Sequence, residues 1–152
     1  MAEAIEKSGL DLNVEKVVSD VLSSIERERE REIIARRYGL YDRKETLEQI
    51  GELLGITRER VRQLEKAVMT KLKSMALKDL PHIAEVEASL SSHIKDLGNI
   101  ARVSEITDRI VKNATKIDRS RVSFLAQLSP NLTHIDENDH FHNSVSLKSL
   151  YS

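Results

Sequence analysis

The stretch TLEQIGELLGITRERVRQLEKAVMTKLK, residues 46–73, decides the fold of the amino-terminal half of this chain. Its spacing predicts two helices joined by a sharp turn. Gly51 is a small residue at a point where two helices can approach closely, and Gly55 can take the positive φ that a tight turn needs. Val61 can then fill the angle between the helices. The stretch therefore predicts a helix-turn-helix.

Capping residues mark where both helices begin. Thr46 and Gln49 can form a capping box for the first helix, and Thr57 can cap the second. At about 100° per residue, the second helix divides into an apolar and a polar arc. The apolar arc contains Val61, Leu64, Val68, Leu72 and Met75, and the polar arc contains Arg58, Glu59, Arg62, Gln63, Lys66 and Lys73. We expect the first arc in the core and the second facing outward.

Positive charge is concentrated on this second helix. The whole chain has a formal net charge of −1. Residues 56–78 nevertheless carry seven basic and two acidic side chains, while the segments on either side are net acidic. Such a local field can steer and hold a polyanion. A solvated basic helix face is the alternative that charge alone leaves open.

Composition narrows the class of protein. The 152 residues suffice for one ordinary domain or two small ones, and they include no cysteine and only five aromatic residues. No stretch approaches the ~20 apolar residues of a membrane helix. We therefore expect a cytoplasmic protein without a membrane segment.

The sequence shows no motif for catalysis, cofactor binding or metal binding. It has neither a glycine-rich phosphate loop nor a nucleophile motif, so we expect a protein that is not an enzyme and needs no cofactor. His134, His140 and His142 could approach one another across a hairpin, but a fourth ligand is not visible. We interpret them as structural histidines and predict no metal site.

Helices are also predicted before the central stretch. Asn13 can cap a first helix, whose valines and leucine follow helical spacing up to Leu22. Ser24 is expected to open a second helix that runs through a self-compensating Glu/Arg repeat and ends at Gly39. Ile33, Ile34 and Tyr38 are expected to anchor this second helix under the helix-turn-helix.

After residue 76 the pattern changes. Asp79 and Pro81 predict the start of a new helix, which Gly98 ends. A short strand from 100 to 103 is followed by helices that Ser104 and Asp118 are expected to cap, and then by a hairpin around residues 136–139. This order is that of a winged helix. We predict a mainly α fold with two domains, residues 1–76 and 77–152, the second a small α+β unit.

The segment from about Val21 to Lys73 resembles region four of bacterial RNA polymerase sigma factors of the sigma-70 family. The resemblance lies in REREIIARRYGL at 29–40 and in TLEQIGELLGITRERVRQLEKAV at 46–68, with TRERVRQLE its most specific part. It implies recognition of the minus-35 promoter element in the major groove and docking on the flap of the polymerase β subunit.

The resemblance also assigns roles to individual residues. The base-reading positions correspond to Arg58, Glu59, Arg62 and Gln63. The phosphate-contacting positions correspond to Arg29, Arg37, Thr57 and Lys66. For Arg29, an ion pair with Glu26 or Glu32 is an equal alternative. Arginine, glutamine and glutamate are also the side chains that chemistry favours for guanine, adenine and cytosine respectively.

The chain departs from the family in two ways that limit its role. Nothing resembles the aromatic-rich region two that captures melted DNA, so this chain alone is not expected to initiate transcription. About eighty residues also follow the motif. In that tail Arg119 and Arg121 lie on the predicted reader helix of the winged helix, but the hairpin tip is acidic. Because acidic residues repel phosphate, we expect the tail to contact a protein or dimerise rather than form a second DNA site.

The leading hypothesis is a sequence-specific DNA-binding transcription protein that acts with RNA polymerase on double-stranded promoter DNA. One alternative is a co-regulator that docks on the polymerase without reading DNA. Another is that these residues form the amino-terminal regulatory part of a larger protein.

Overall fold

A computed structural model describes residues 13–135 and 143–147. The described chain is mainly helical, with a small antiparallel sheet near its end. In chain order the elements are α1 (Val14–Leu22), α2 (Glu28–Tyr38), α3 (Leu47–Leu54), α4 (Arg58–Ala76), α5 (Ile83–Asp96), β1 (Ile100–Arg102), α6 (Val103–Ile110), α7 (Lys116–Leu128), β2 (Leu132–Ile135) and β3 (Ser144–Leu147).

The first two helices form as predicted except at the start of α2. The Asn13 side chain caps α1 by accepting a hydrogen bond from the Lys16 amide at 3.1 Å. Helix α2 begins at Glu28 and not just after Ser24, so the predicted start is wrong. The Arg31 guanidinium donates hydrogen bonds to the carbonyls of Ile25 and Glu26. In a helix that began just after Ser24, these carbonyls would instead accept from backbone amides.

Helices α3 and α4 form the predicted helix-turn-helix. The capping box of Thr46 and Gln49 is present, with both hydrogen bonds between 2.9 and 3.1 Å. Gly55 ends α3 in the left-handed conformation at φ 72°, and the Thr57 side chain caps α4 by accepting from the Arg60 amide. The local signals in the sequence therefore placed this motif correctly.

The tail has the element order and sheet of a winged helix. Its strands are ordered β1-β3-β2, and both neighbouring pairs are antiparallel. Within this fold the predicted helix starts are shifted. Helix α5 begins at Ile83, α6 at Val103 so that Ser104 lies inside it, and α7 after Thr115, with Asp118 closing the capping box. The predicted hairpin tip at 136–139 lies outside the described residues.

The core consists of two apolar clusters, and the larger one extends from the first helix to the last strand. A small apolar cluster of Ile33, Ile50, Val61 and Leu64 lies under the helix-turn-helix. The larger one extends from α1 through α2 and α4 into the tail. In the tail Phe124 is fully buried, and the centre of its ring lies 5.3 Å from the centre of the Tyr38 ring. Residues on both sides of position 76 thus share one apolar cluster, across the domain boundary proposed from sequence.

Among the helices of residues 13–135, none is both long and apolar enough to cross a membrane.

Candidate nucleic-acid interface

The start of α4 is fixed by close backbone packing at the turn. A Cβ atom added to Gly51 would lie 2.7 Å from the backbone oxygen of Ile56, so only glycine fits at this position. On the core side of α4, Val61 is fully buried, and Leu64 and Leu72 are nearly so. The packing thus sets which face of α4 is turned outward.

The outward face carries all four predicted base-reading residues. Arg58, Glu59, Arg62 and Gln63 lie in the first two turns of α4, and each is solvent-exposed. The structure therefore brings them together on one surface next to the amino terminus of the helix. In a helix-turn-helix this is the part of the second helix that reaches base edges.

Three of these side chains are bonded to one another. The Arg62 guanidinium donates to both carboxylate oxygens of Glu59, at 2.9 and 2.6 Å, and the Gln63 amide donates to the same carboxylate at 3.5 Å. The hydrogen bond from Arg62 holds the pKa of Glu59 below its usual value, and Glu59 in turn raises the pKa of Arg62. Glu59 is therefore a hydrogen-bond acceptor at neutral pH.

The predicted phosphate contacts have different surroundings. Lys66 and Arg29 are exposed and form no ion pair with any residue in 13–135 or 143–147. The alternative ion pair of Arg29 is thus not formed. Thr57 is exposed at the helix cap. Arg37 is half-buried and donates to Glu65 and to the Glu45 carbonyl, both at 3.4 Å.

Sequence reasoning missed a positioning residue on α4. The Glu65 carboxylate accepts a hydrogen bond from the Tyr38 hydroxyl at 3.0 Å as well as from Arg37. These contacts tie α4 to the end of α2 and so fix the orientation of the outward face. Tyr38 and Glu65 are 27 positions apart, and Arg37 and Glu65 are 28 positions apart. No local periodicity links residues at such separations, so no signal in the sequence pairs them.

The tail helix α7 does not present the surface expected of a reader helix. Arg121 is 9% exposed, and its Nε donates to the Leu40 carbonyl at 2.8 Å. Its Nη1 donates to Asp118 at 3.1 Å. Arg121 is therefore a buried contact to the helix-turn-helix half and not a DNA-reading side chain. Arg119 is half-buried at the amino-terminal end of the same helix.

Of the three histidines considered for a metal site, His134 is described, and it takes part in a polar contact. The His134 ring lies 3.0 Å from the Ser123 hydroxyl and 2.6 Å from the Asn143 side-chain oxygen. His140 and His142 lie outside the described residues. Where the structure is described, histidine, cysteine, aspartate and glutamate form no cluster suited to a metal ion.

Comparison with known proteins identifies the central segment. Residues 27–74 match the family model "Sigma-70, region 4". The chain is 43% identical to RNA polymerase sigma factor SigA of Nostoc sp. over 72 residues, 47% of this chain and 17% of that protein. It is 49% identical to sigma factor sigB of Arabidopsis thaliana over 47 residues, 30% of this chain and 8% of that one.

A third relative, RNA polymerase principal sigma factor HrdD of Streptomyces griseus, is 40% identical over 72 residues, 47% of this chain and 21% of that protein. The chain thus spans about a fifth or less of the length of these relatives. No solved structure matches the chain. The resemblance to sigma-70 region four inferred from the sequence is confirmed for the helix-turn-helix segment.

Proposed function

We propose that this chain is a sequence-specific DNA-binding transcription protein that reads a minus-35 promoter element with α4 and acts with RNA polymerase. One observation carries the proposal. Four side chains suited to base recognition lie exposed together on the first two turns of α4, inside the segment that matches sigma-70 region 4. The relatives are named as RNA polymerase sigma factors, which supports the same role here.

Each proposed base-reading side chain has a base that fits its chemistry. Arg58 and Arg62 can donate two hydrogen bonds to the O6 and N7 atoms of guanine, and Gln63 can both donate to and accept from adenine. Glu59, held ionised by Arg62, can accept from the cytosine amino group. Because the Glu59–Arg62 pair is more than half exposed on both sides, DNA can replace it without uncovering a buried charge.

Phosphate contacts would fix the position of α4 in the groove. Lys66 and Arg29 are free to reach the backbone, and Thr57 stands beside the amino terminus of α4, where the helix dipole favours an anion. Arg37 would contribute from a position fixed by Glu65. These residues would supply affinity but no sequence information.

The proposed partners follow from the same segment. We expect promoter DNA and the β-subunit flap of RNA polymerase to bind the helix-turn-helix half, and the tail to contact a further protein. The chain would then work in the cytoplasm as a binding protein and not as an enzyme.

Duplex titration tests the reading function. The full chain is titrated at fixed salt against a minus-35 duplex and a scrambled duplex of the same length, and we expect tighter binding of the first. Arg58→Ala and Gln63→Ala should each lower the discrimination by about 1 to 3 kcal/mol. Lys66→Ala is the matched control, since loss of a phosphate contact should weaken both duplexes alike. Equal affinities of the unaltered chain for the two duplexes would contradict the proposal.

A second candidate is a co-regulator that docks on the polymerase and does not read DNA. The observation in its favour is that three of the four proposed reading side chains already bond to one another. Capture of RNA polymerase by the chain in the absence of DNA, together with no duplex preference, would support this candidate over the first.

A further inference from the structure

A basic cleft lies where the helix-turn-helix half meets the tail. Its volume is about 840 Å³, and we define it by five cations from both halves of the chain. Arg43 and Lys44 come from the loop before α3, Arg102 from the end of β1, and Lys116 and Arg119 from the first turn of α7. The cleft exists only because the tail packs against the helix-turn-helix half, and so sigma-type region four alone does not contain it.

The cations of the basic cleft are not neutralised by the protein. Within residues 13–135 and 143–147, none of the five forms an ion pair, although Arg36, Arg37, Arg62 and Arg121 elsewhere do. Asp42 is the acidic residue that lines the cleft, and its carboxylate accepts a hydrogen bond from a backbone amide at 2.8 Å. The cleft is therefore a concentrated positive field in a chain whose net charge is −1.

Arg119 also has a hydrogen-bond donor that the described part of the chain leaves unused. Its Nε is buried and has no hydrogen-bond partner among the described residues. Buried donors are normally satisfied, so the Arg119 guanidinium has donor capacity that no described residue uses, and an anion is the acceptor that suits a cationic cleft. The hydroxyls of Ser104 and Ser120 also line the cleft and can donate to phosphate oxygens.

The character of the cleft identifies the kind of anion. It is open, and four of its five cations are exposed, so it lacks the enclosed cage that holds a single small anion. No aromatic side chain lines it, so it offers no surface on which unpaired bases could stack. A group of exposed cations without stacking groups suits the phosphates of a double helix better than unpaired bases.

The position of the cleft agrees with this ligand. Arg43 and Lys44 stand directly before α3, the first helix of the helix-turn-helix, which crosses the DNA backbone in this motif. Helix α3 has 8 residues and is therefore about 12 Å long. Arg43 and Lys44 on the loop side of the cleft thus lie about one such helix length from the start of α4, which is less than one turn of DNA.

We infer that the basic cleft binds the sugar–phosphate backbone of double-stranded DNA beside the element contacted by α4, so that the tail extends the DNA footprint. This inference rests on the proposed DNA binding but not on base reading. It assigns Arg102, Lys116 and Arg119 of the tail as phosphate contacts, and so departs from the expectation, drawn from the charge of the tail, that the tail makes no DNA contact. Arg121 is buried and takes no part.

The salt dependence of duplex binding tests the inference. Binding of the full chain to a duplex of about three helical turns is measured between about 50 and 200 mM salt. Two variants remove two cleft charges each, Arg43→Gln with Lys44→Gln on the loop side and Arg102→Gln with Lys116→Gln on the tail side. Lys78→Gln with Lys95→Gln is the control, since both lysines are exposed, unpaired within the described chain and outside the cleft.

The slope of log K against log salt is negative, and each cleft variant should make it less steep by about 1.8, because each lost phosphate contact removes about 0.9. Across a fourfold range of salt this is about a twelve-fold smaller loss of affinity than for the unaltered chain. The control should keep the original slope, and discrimination between minus-35 and scrambled duplexes should be unchanged in all variants. Circular dichroism checks that every variant is folded.

Three results would overturn the inference. The tail-side variant could match the control, which would leave the loop alone as the DNA contact. The same variant could lose more affinity for single-stranded DNA of equal length than for the duplex. It could also weaken binding of RNA polymerase without DNA while leaving the slope unaltered, which would make the cleft a protein site. By contrast, less steep slopes in both cleft variants, together with equal binding of minus-35 and scrambled duplexes, would support DNA binding by the cleft and refute base reading.

Discussion

Replacement of Arg121 by methionine tests whether the tail is held to the helix-turn-helix half by a buried arginine. The Arg121 side chain is 10% exposed and contacts three parts of the chain, namely Glu15 in α1 at 4.0 Å, residues 40–41, and Asp118 in α7. It donates to the Leu40 carbonyl at 2.8 Å and to Asp118 at 3.1 Å, and its guanidinium carbon lies 5.5 Å from the centre of the Tyr41 ring. Methionine keeps most of the apolar stem but removes every donor.

The expected cost follows from the groups left behind. Leu40 is fully buried, so its carbonyl loses a charged donor and becomes a buried acceptor without that partner, at about 1 to 3 kcal/mol. Asp118 loses its ion pair but keeps hydrogen bonds from the Thr115 amide and hydroxyl, which limits its contribution to about 1 kcal/mol. We therefore expect Arg121→Met to lower the free energy of unfolding by about 2 to 4 kcal/mol.

Urea and thermal unfolding of the full chain measure this change. At about 2 to 4 °C per kcal/mol, Tm should fall by about 4 to 16 °C. Arg109→Met is the matched control, because Arg109 is 38% exposed and its ion pair with Asp96 spans 3.4 Å. The control should change stability by no more than about 1 kcal/mol. Equal stability of Arg121→Met and Arg109→Met would show that the buried Arg121 contacts do not stabilise the chain.

Two further predictions concern the helix-turn-helix and the winged helix. Gly51→Ala should destabilise the chain by about 1 to 3 kcal/mol in urea unfolding, because the added Cβ would lie 2.7 Å from the Ile56 carbonyl oxygen. This clash should outweigh the higher helix propensity of alanine. Unchanged or raised stability would contradict the prediction. Burial, followed by the nearby charge of Arg109, lowers the pKa of His93, whereas Asp96 opposes the shift. As the pH falls, His93 therefore takes up a proton in the unfolded chain before it does so in the folded chain, and the free energy of unfolding should fall below about pH 6.5. Between about pH 7 and 5 the urea midpoint should fall less in His93→Gln than in the unaltered chain. Equal falls in the two proteins would contradict the prediction.

Local signals were sufficient for the helix-turn-helix and insufficient for some helix starts. The caps at Thr46 and Thr57 and the left-handed glycine at 55 act within four residues of the backbone that they satisfy, and sequence alone located them. The start of α2 was predicted too early because the donor that competes for the backbone there, Arg31, lies five and six residues further on. Periodicity cannot show such a competition.

The sequence by itself determined the helix-turn-helix, the separation of α4 into a core face and a polar face, and the winged-helix order of the tail, because capping, turn geometry and helical period are local properties. Only the tertiary structure decided that Arg121 is buried against Leu40, that Glu65 joins α4 to α2, and that five cations of distant origin line one cleft. The physical reason is that burial and charge environment depend on which elements pack together. Arg119 and Arg121, two residues apart, are indistinguishable as charges in the sequence, yet packing places one in the cleft and the other in the core.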